Sequence, residues 1–101
     1  MDFGSKIRTL RLGKKDTLHR LAMGTDIDMT LLSKIERGAR MPTKDQITKL
    51  ANYFCLDENE LAVEAAAEKI LFEYGLNDIT FEAVSLVKER IAPYYAGKAV
   101  K

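Results

Sequence analysis

Apolar positions recur at three- and four-residue intervals along the whole chain, the spacing that gathers them on one face of a helix. Phe3, Ile7 and Leu10 open the pattern over residues 2–13, and Gly13-Lys14-Lys15-Asp16 stops it. Leu18, Leu21 and Ala22 continue it over 17–25, where the Thr17 hydroxyl is placed to accept from a free N–H of the first turn. A third segment spans Asp28 to Arg37. Ile27 and Leu32 bracket its cap as a hydrophobic staple, and Gly38 ends it. Thr43 and Gln46 are spaced as a reciprocal capping box ahead of Ile47, Leu50, Ala51 and Phe54. Asp57 and Glu60 repeat the device, with Leu56 and Leu61 as the staple, for a helix running through Ala65 and Leu71 to Gly75. A sixth helix is expected from about Thr80, with Ile79 and Val84 as its staple and Phe81, Val84, Val87 and Ile91 as its stripe. Pro93 is expected to end it and to leave Tyr94–Lys101 as a loose tail. No alternating strand pattern and no Asn-Gly or Asp-Gly hairpin signal interrupts the helical period, so the chain reads as all-α.

Composition narrows the chemistry. Of 101 residues, 47% are hydrophobic, enough for a packed core, and no apolar run approaches the roughly 18 residues of a membrane helix. The opening Met1–Lys6 reads neither as a signal peptide nor as a transit peptide, and a cytoplasmic domain is expected. One cysteine, Cys55, leaves no internal disulfide framework and no cysteine-built zinc site. With a single histidine, His19, besides, no nucleophile–base pair or metal cluster can be assembled, so neither an enzyme nor a cofactor is expected. Cys55 sits between Phe54 and Leu56 and reads as a buried small hydrophobe, with a redox sensor as the alternative.

The net charge of +1 conceals a polarity. Residues 1–50 carry eleven basic and six acidic side chains, +5, whereas residues 51–101 carry five and nine, −4. A basic front suits a polyanion and an acidic back is kept away from it; chance surface charge is the plainer explanation.

The second and third helices are short and joined by two or three residues, the length of a helix-turn-helix. Asp26 falls at the junction, where a left-handed backbone is needed. If Ile27, Leu32 and Ile35 point inward, then Met29, Thr30, Ser33 and Lys34 point outward together. Such a face can enter a major groove and touch base edges. Each residue also has a plainer role: Thr30 and Ser33 as solvated helix positions, Lys34 answering a carboxylate, Met29 as core filler. Leu31 serves equally as core or as a contact to thymine methyls. Arg37, Arg40 and Lys44 cluster beyond the third helix as either a phosphate clamp or a solvated basic loop. Lys14, Lys15 and His19 are weaker candidates for phosphate contact.

The strings Phe3-Gly4-x-x-Ile7-Arg8-x-Leu10-Arg11, Leu21-Ala22, Leu32-Ser33-Lys34-Ile35-Glu36-Arg37-Gly38-x-x-x-Pro42 and Leu50-Ala51 resemble the Cro/C1-type (XRE) helix-turn-helix family of bacterial and phage regulators. The likeness covers about residues 3–61. It implies a five-helix lambda-repressor-like domain over 1–61, followed by a C-terminal helical extension over 62–101. It implies base reading by Met29, Thr30, Ser33 and Lys34, and phosphate contacts from Thr17, Arg37 and Arg40. It implies a structural ion pair between Arg11 and Glu36. The stretch Asp26–Gly38 with a short helical extension is also similar to controller proteins of restriction–modification systems. Three positions depart from the family pattern. Leu18 stands where Gln is common, Asp26 replaces the turn Gly, and Asp28 replaces a capping Ser or Thr. Asp28 caps well but repels phosphate, or accepts from a cytosine amino group.

The extension leaves Ala62, Ala65, Ala66, Ile70, Leu71, Tyr74 and the stripe residues in need of a cover. They either fold back on their own domain or form a two-fold dimer interface built from Phe72, Phe81, Val84, Val87 and Ile91. Tyr94, Tyr95 and Lys98 read as a stacking element or as part of the tail. The functional expectation is a sequence-specific regulator, a repressor or autoregulator, that binds double-stranded DNA as a homodimer on a palindrome. The alternatives are an antitoxin that also covers a toxin partner and an interaction module that has lost DNA binding.

Overall fold

The computed structural model describes residues 2–98, with side chains through Ala96, and these residues form six helices and no strand. They are α1 (Phe3–Gly13), α2 (Leu18–Thr25), α3 (Met29–Glu36), α4 (Lys44–Phe54), α5 (Glu58–Tyr74) and α6 (Asp78–Lys98). The chain divides into two compact units, residues 1–69 and 70–101.

In the first unit each helix begins where a side chain replaces a missing backbone partner. Asp2 accepts from Ser5 N at 2.7 Å, Thr17 from Arg20 N at 3.1 Å and Asp28 from Leu31 N at 3.2 Å. Thr43 and Gln46 form the full reciprocal box, at 3.2 and 2.9 Å. Asp57 supplies its half, accepting from Glu60 N at 2.9 Å. Left-handed residues close several of the ends. Gly38 has φ +76°, and the bonds Gly38 N to Ile35 O and Ala39 N to Lys34 O close the paired turn that stops α3.

Helix α1 packs on α3, and α2 packs on α3 and α4. The core consists of Phe3 and Ile7 from α1, Leu21 from α2, Ile27 from the turn, Leu32 and Ile35 from α3, Ile47, Leu50 and Ala51 from α4, and Leu61 and Ala65 from α5. Burying each large member contributes roughly 1.5–3 kcal/mol. Gly4 lies against the carbonyls of Ile35 and Glu36, so the absence of a side chain is what lets α1 reach the end of α3.

Several expectations are corrected. Ala62 and Ala65 are not spare surface: they share a face with Leu61, and Ala65 is buried in the first core. Glu68, also in the first compact unit, accepts from Phe3 N at 3.1 Å at the start of α1. Cys55 is exposed, because it is the left-handed residue (φ +55°) at which the chain turns out of α4. Helix α6 starts at Asp78, with Asn77 as cap accepting from Thr80 N at 2.9 Å; Ile79 falls in the first turn and is exposed, so no staple forms with Val84. Finally, Pro93 does not end α6, which continues to Lys98. Proline's fixed φ is helical, and the Glu89 carbonyl that loses its partner lies in an exposed segment where water can satisfy it. Residues 99–101 of the expected tail lie outside the described residues.

The second unit pairs the end of α5 with α6 across a turn at Gly75 (φ +82°). Thr80 is buried there, its hydroxyl donating to Tyr74 O at 3.1 Å, while Asn77 Nδ2 donates to the same carbonyl at 2.8 Å. No large hydrophobic side chain described in this unit is buried.

Candidate nucleic-acid interface

The turn between α2 and α3 sets the site. Thr25 is buried, its hydroxyl donating to Leu21 O at 2.7 Å, and so closes α2 from inside. Asp26 follows with φ 56° and ψ 39°, the left-handed geometry required of it. Ile27 then drops into the core and Asp28 caps α3. Two inward anchors, Leu32 and Ile35, fix the rotation of α3 about its axis. The consequence is the outward ridge: Met29 (45% exposed), Thr30 and Lys34 are exposed and Ser33 is half-exposed. Leu31 packs against the core from the side, and Leu18 does the same from α2.

Lys34, Arg40 and Lys44 are exposed and form no ion pair with a carboxylate among the described residues. Arg37 is exposed as well, and its Nε donates to Ser33 O at 3.2 Å, tying the side chain along the last turn of α3. Thr17 uses its oxygen as the cap acceptor, which leaves its hydroxyl proton free to donate to an external anion. His19 is exposed, with no hydrogen-bond partner among the described residues.

The scaffold behind this surface is ionic. Arg11 Nε and Nη2 donate to Glu36 Oε2 and Oε1 at 2.7 and 3.1 Å, a two-pronged clamp between α1 and the end of α3. The Glu36 carboxylate, chiefly by these hydrogen bonds, holds the Arg11 guanidinium above its ordinary pKa. Arg11 Nη1 also donates to Asp16 O at 2.8 Å. Sequence reasoning missed the next link. The Tyr53 hydroxyl of α4 donates to the Asp16 carboxylate, which is nearly buried, while Lys14 Nζ stands 4.5 Å over the Tyr53 ring. Under that ring lies Gly24, where a methyl group would collide with it. The loop leading into α2 is thus held from both α1 and α4. Tyr53 and Asp16 are 37 residues apart, and nothing local marks them as partners.

Of the extension, Phe72, Phe81, Val84, Val87 and Ile91 are all exposed, at 55, 75, 45, 52 and 42%. Ile70, Tyr74, Ala83, Val84 and Val87 line a groove within the second unit, with Asn77 and Thr80 at its polar end. Tyr94 and Tyr95 meet edge to face at 6.0 Å, and the side chain of Lys98 lies outside the described residues. No group of three or more potential metal ligands occurs among the described residues, and no helix there is long and apolar enough to cross a membrane.

An inward-anchored α3 with a polar ridge, introduced by α2 through a left-handed turn, defines a helix-turn-helix DNA-binding domain. The helix-turn-helix domain family matches residues 2–63, and the chain belongs to that family. It is 35% identical over 60 residues to Control protein C.BamHI of Bacillus amyloliquefaciens, an alignment that spans 58% of this chain and 74% of that protein. No solved structure matches.

Proposed function

We propose that the protein is a sequence-specific transcriptional regulator that binds double-stranded DNA as a homodimer on a palindromic operator. The observation that carries this reading is the ridge Met29–Thr30–Ser33–Lys34, outward on a helix whose rotation is fixed by Leu32 and Ile35. Lys34 brings an unpaired charge to the ridge, while Arg37, Arg40, Lys44 and the Thr17 hydroxyl flank it as phosphate contacts. Likeness to a control protein favours a regulator of the restriction–modification controller type, acting as repressor or autoregulator. On this reading the domain is the five-helix lambda-repressor-like form, the second unit is its C-terminal extension, and the protein works in the cytoplasm without catalysis or cofactor.

Dimerisation follows from size and from surface. One short ridge reads only four or five base pairs, too few to choose a site, whereas two copies about 34 Å apart read a palindrome. The second unit offers the interface. Its aromatic residues Phe72, Tyr74, Phe81, Tyr94 and Tyr95 are 55–75% exposed. At roughly 200 Å² per aromatic side chain they present on the order of 600 Å². A standard interface takes about 800 Å² from each partner.

Selection of bound fragments from random DNA tests the reading. A palindromic motif with half-sites one helical turn apart supports it. Failure to retain any duplex in dilute buffer overturns it and leaves an interaction module. Co-purification of a small basic protein in place of a second copy would point to the antitoxin reading.

A further inference from the structure

The carboxylate at the leading end of α3 has a role beyond capping. Asp28 is exposed; its Oδ2 accepts from Leu31 N at 3.2 Å, and Oδ1 has no hydrogen-bond partner among the described residues. No Lys or Arg among them pairs with it. The cap itself does not require the charge, because Ser, Thr and Asn accept from the same N–H about as well. On a surface that carries Lys34, Arg37, Arg40 and Lys44 toward a polyanion, an unpaired carboxylate is a cost unless it meets a donor.

The major groove offers such donors selectively. An ionised carboxylate only accepts. Guanine presents N7 and O6 and thymine presents O4, all acceptors that repel it. Adenine offers its 6-amino group beside the N7 acceptor, which a second carboxylate oxygen would oppose. Cytosine offers its 4-amino group with no acceptor on its own groove edge. The N-terminal residues of a recognition helix are those that contact base edges. We infer that Asp28 is a specificity-determining residue: Oδ1 accepts from the 4-amino group of one cytosine in each half-site while Oδ2 holds the cap. The inference rests on the groove-binding reading of α3.

Bound-fragment selection with the wild-type chain, Asp28→Ser and Asp28→Asn tests it. Both variants keep the cap, and an unchanged helical circular dichroism spectrum would verify that. The wild type should select cytosine at one position per half-site. Asp28→Ser should lose that preference by roughly tenfold or more at that position alone. In Asp28→Asn the single side-chain oxygen holds the cap and leaves the amide NH2 free, so the variant should reject cytosine at that position and favour a base that presents an acceptor there, guanine, adenine or thymine. Identical base profiles for all three proteins, with the variants merely tighter on every duplex, would overturn the inference and reduce Asp28 to a cap that repels phosphate. A wild type that selects no motif at all would instead overturn the groove-binding reading beneath it.

Discussion

Replacing Gly4 by alanine tests how the recognition helix is held. A methyl group at that position would lie 2.6 Å from the Glu36 carbonyl oxygen and nearer still to that of Ile35. Both are backbone atoms at the end of α3, so no side chain can swing aside. Relief requires α1 and α3 to separate by roughly 0.5–1 Å, which forfeits about a quarter to a half of the dispersion energy between atoms that had been touching. The side chains affected include Phe3 and Ile7 on α1 and Leu32 and Ile35 on α3, all buried. Overpacking of this kind costs about 1–3 kcal/mol. Against it stands the gain of alanine over glycine in a helix, at most about 1 kcal/mol. The clash wins, and Gly4→Ala should lose about 1–2 kcal/mol, roughly 5–15 °C in Tm for a domain of this size. Gly13 is the internal control: it is also helical, but a methyl group there meets nothing within 4 Å. Gly13→Ala should therefore match or exceed the wild type. Thermal unfolding followed by circular dichroism reads both. A Gly4→Ala protein that melts at or above the wild-type temperature would refute the close approach of α1 to α3.

The Tyr53–Asp16 link gives a pH signature. Asp16, chiefly by accepting the hydroxyl's hydrogen bond, holds the Tyr53 pKa above its ordinary 10.0. The folded chain therefore keeps that proton more tightly than the unfolded chain. Its contribution is complete below pH 10 and disappears as pH rises through the folded value, so wild-type stability should fall more steeply above pH 10 than that of Tyr53→Phe, as urea unfolding across that range would show. Arg40→Ala should weaken binding to all duplexes alike and lower the slope of log affinity against log salt by about 1, read by fluorescence anisotropy; an unchanged slope would remove Arg40 from the phosphate contacts. Val87→Glu should convert dimers to monomers in light scattering while leaving the melting of the first unit in place. An unchanged mass would take Val87 out of the interface.

Local signals account for most of what is legible in the sequence. Caps at Thr17, Asp28 and Thr43 and the stop at Gly38 act within a few residues of themselves, so residue type and spacing suffice to place α2, α3 and α4. The outward ridge is equally readable, because Leu32 and Ile35 leave α3 only one face to bury. Cys55 escapes such reasoning because left-handed turns normally advertise glycine, asparagine or aspartate, as Asp26 does; here, as at Lys15, a residue without that signal adopts one. Pro93 escapes it because a proline's cost depends on whether the freed carbonyl meets water, which is a property of exposure and not of the sequence window. The Tyr53–Asp16–Lys14 cluster and the Gly24 seat beneath it are long-range, and no periodicity encodes them.

Whether the α3 ridge reads DNA is measured by affinity for the selected palindrome and for a scrambled duplex of equal length across a salt series. Ridge reading by a dimer predicts that the palindrome is bound at least about a thousandfold more tightly and that both affinities fall steeply with salt. It also predicts that substitution of Ser33 or Lys34 narrows the gap by about 1–3 kcal/mol for each base no longer read. Equal affinity for the two duplexes, unmoved by changes at Ser33 and Lys34, would contradict it.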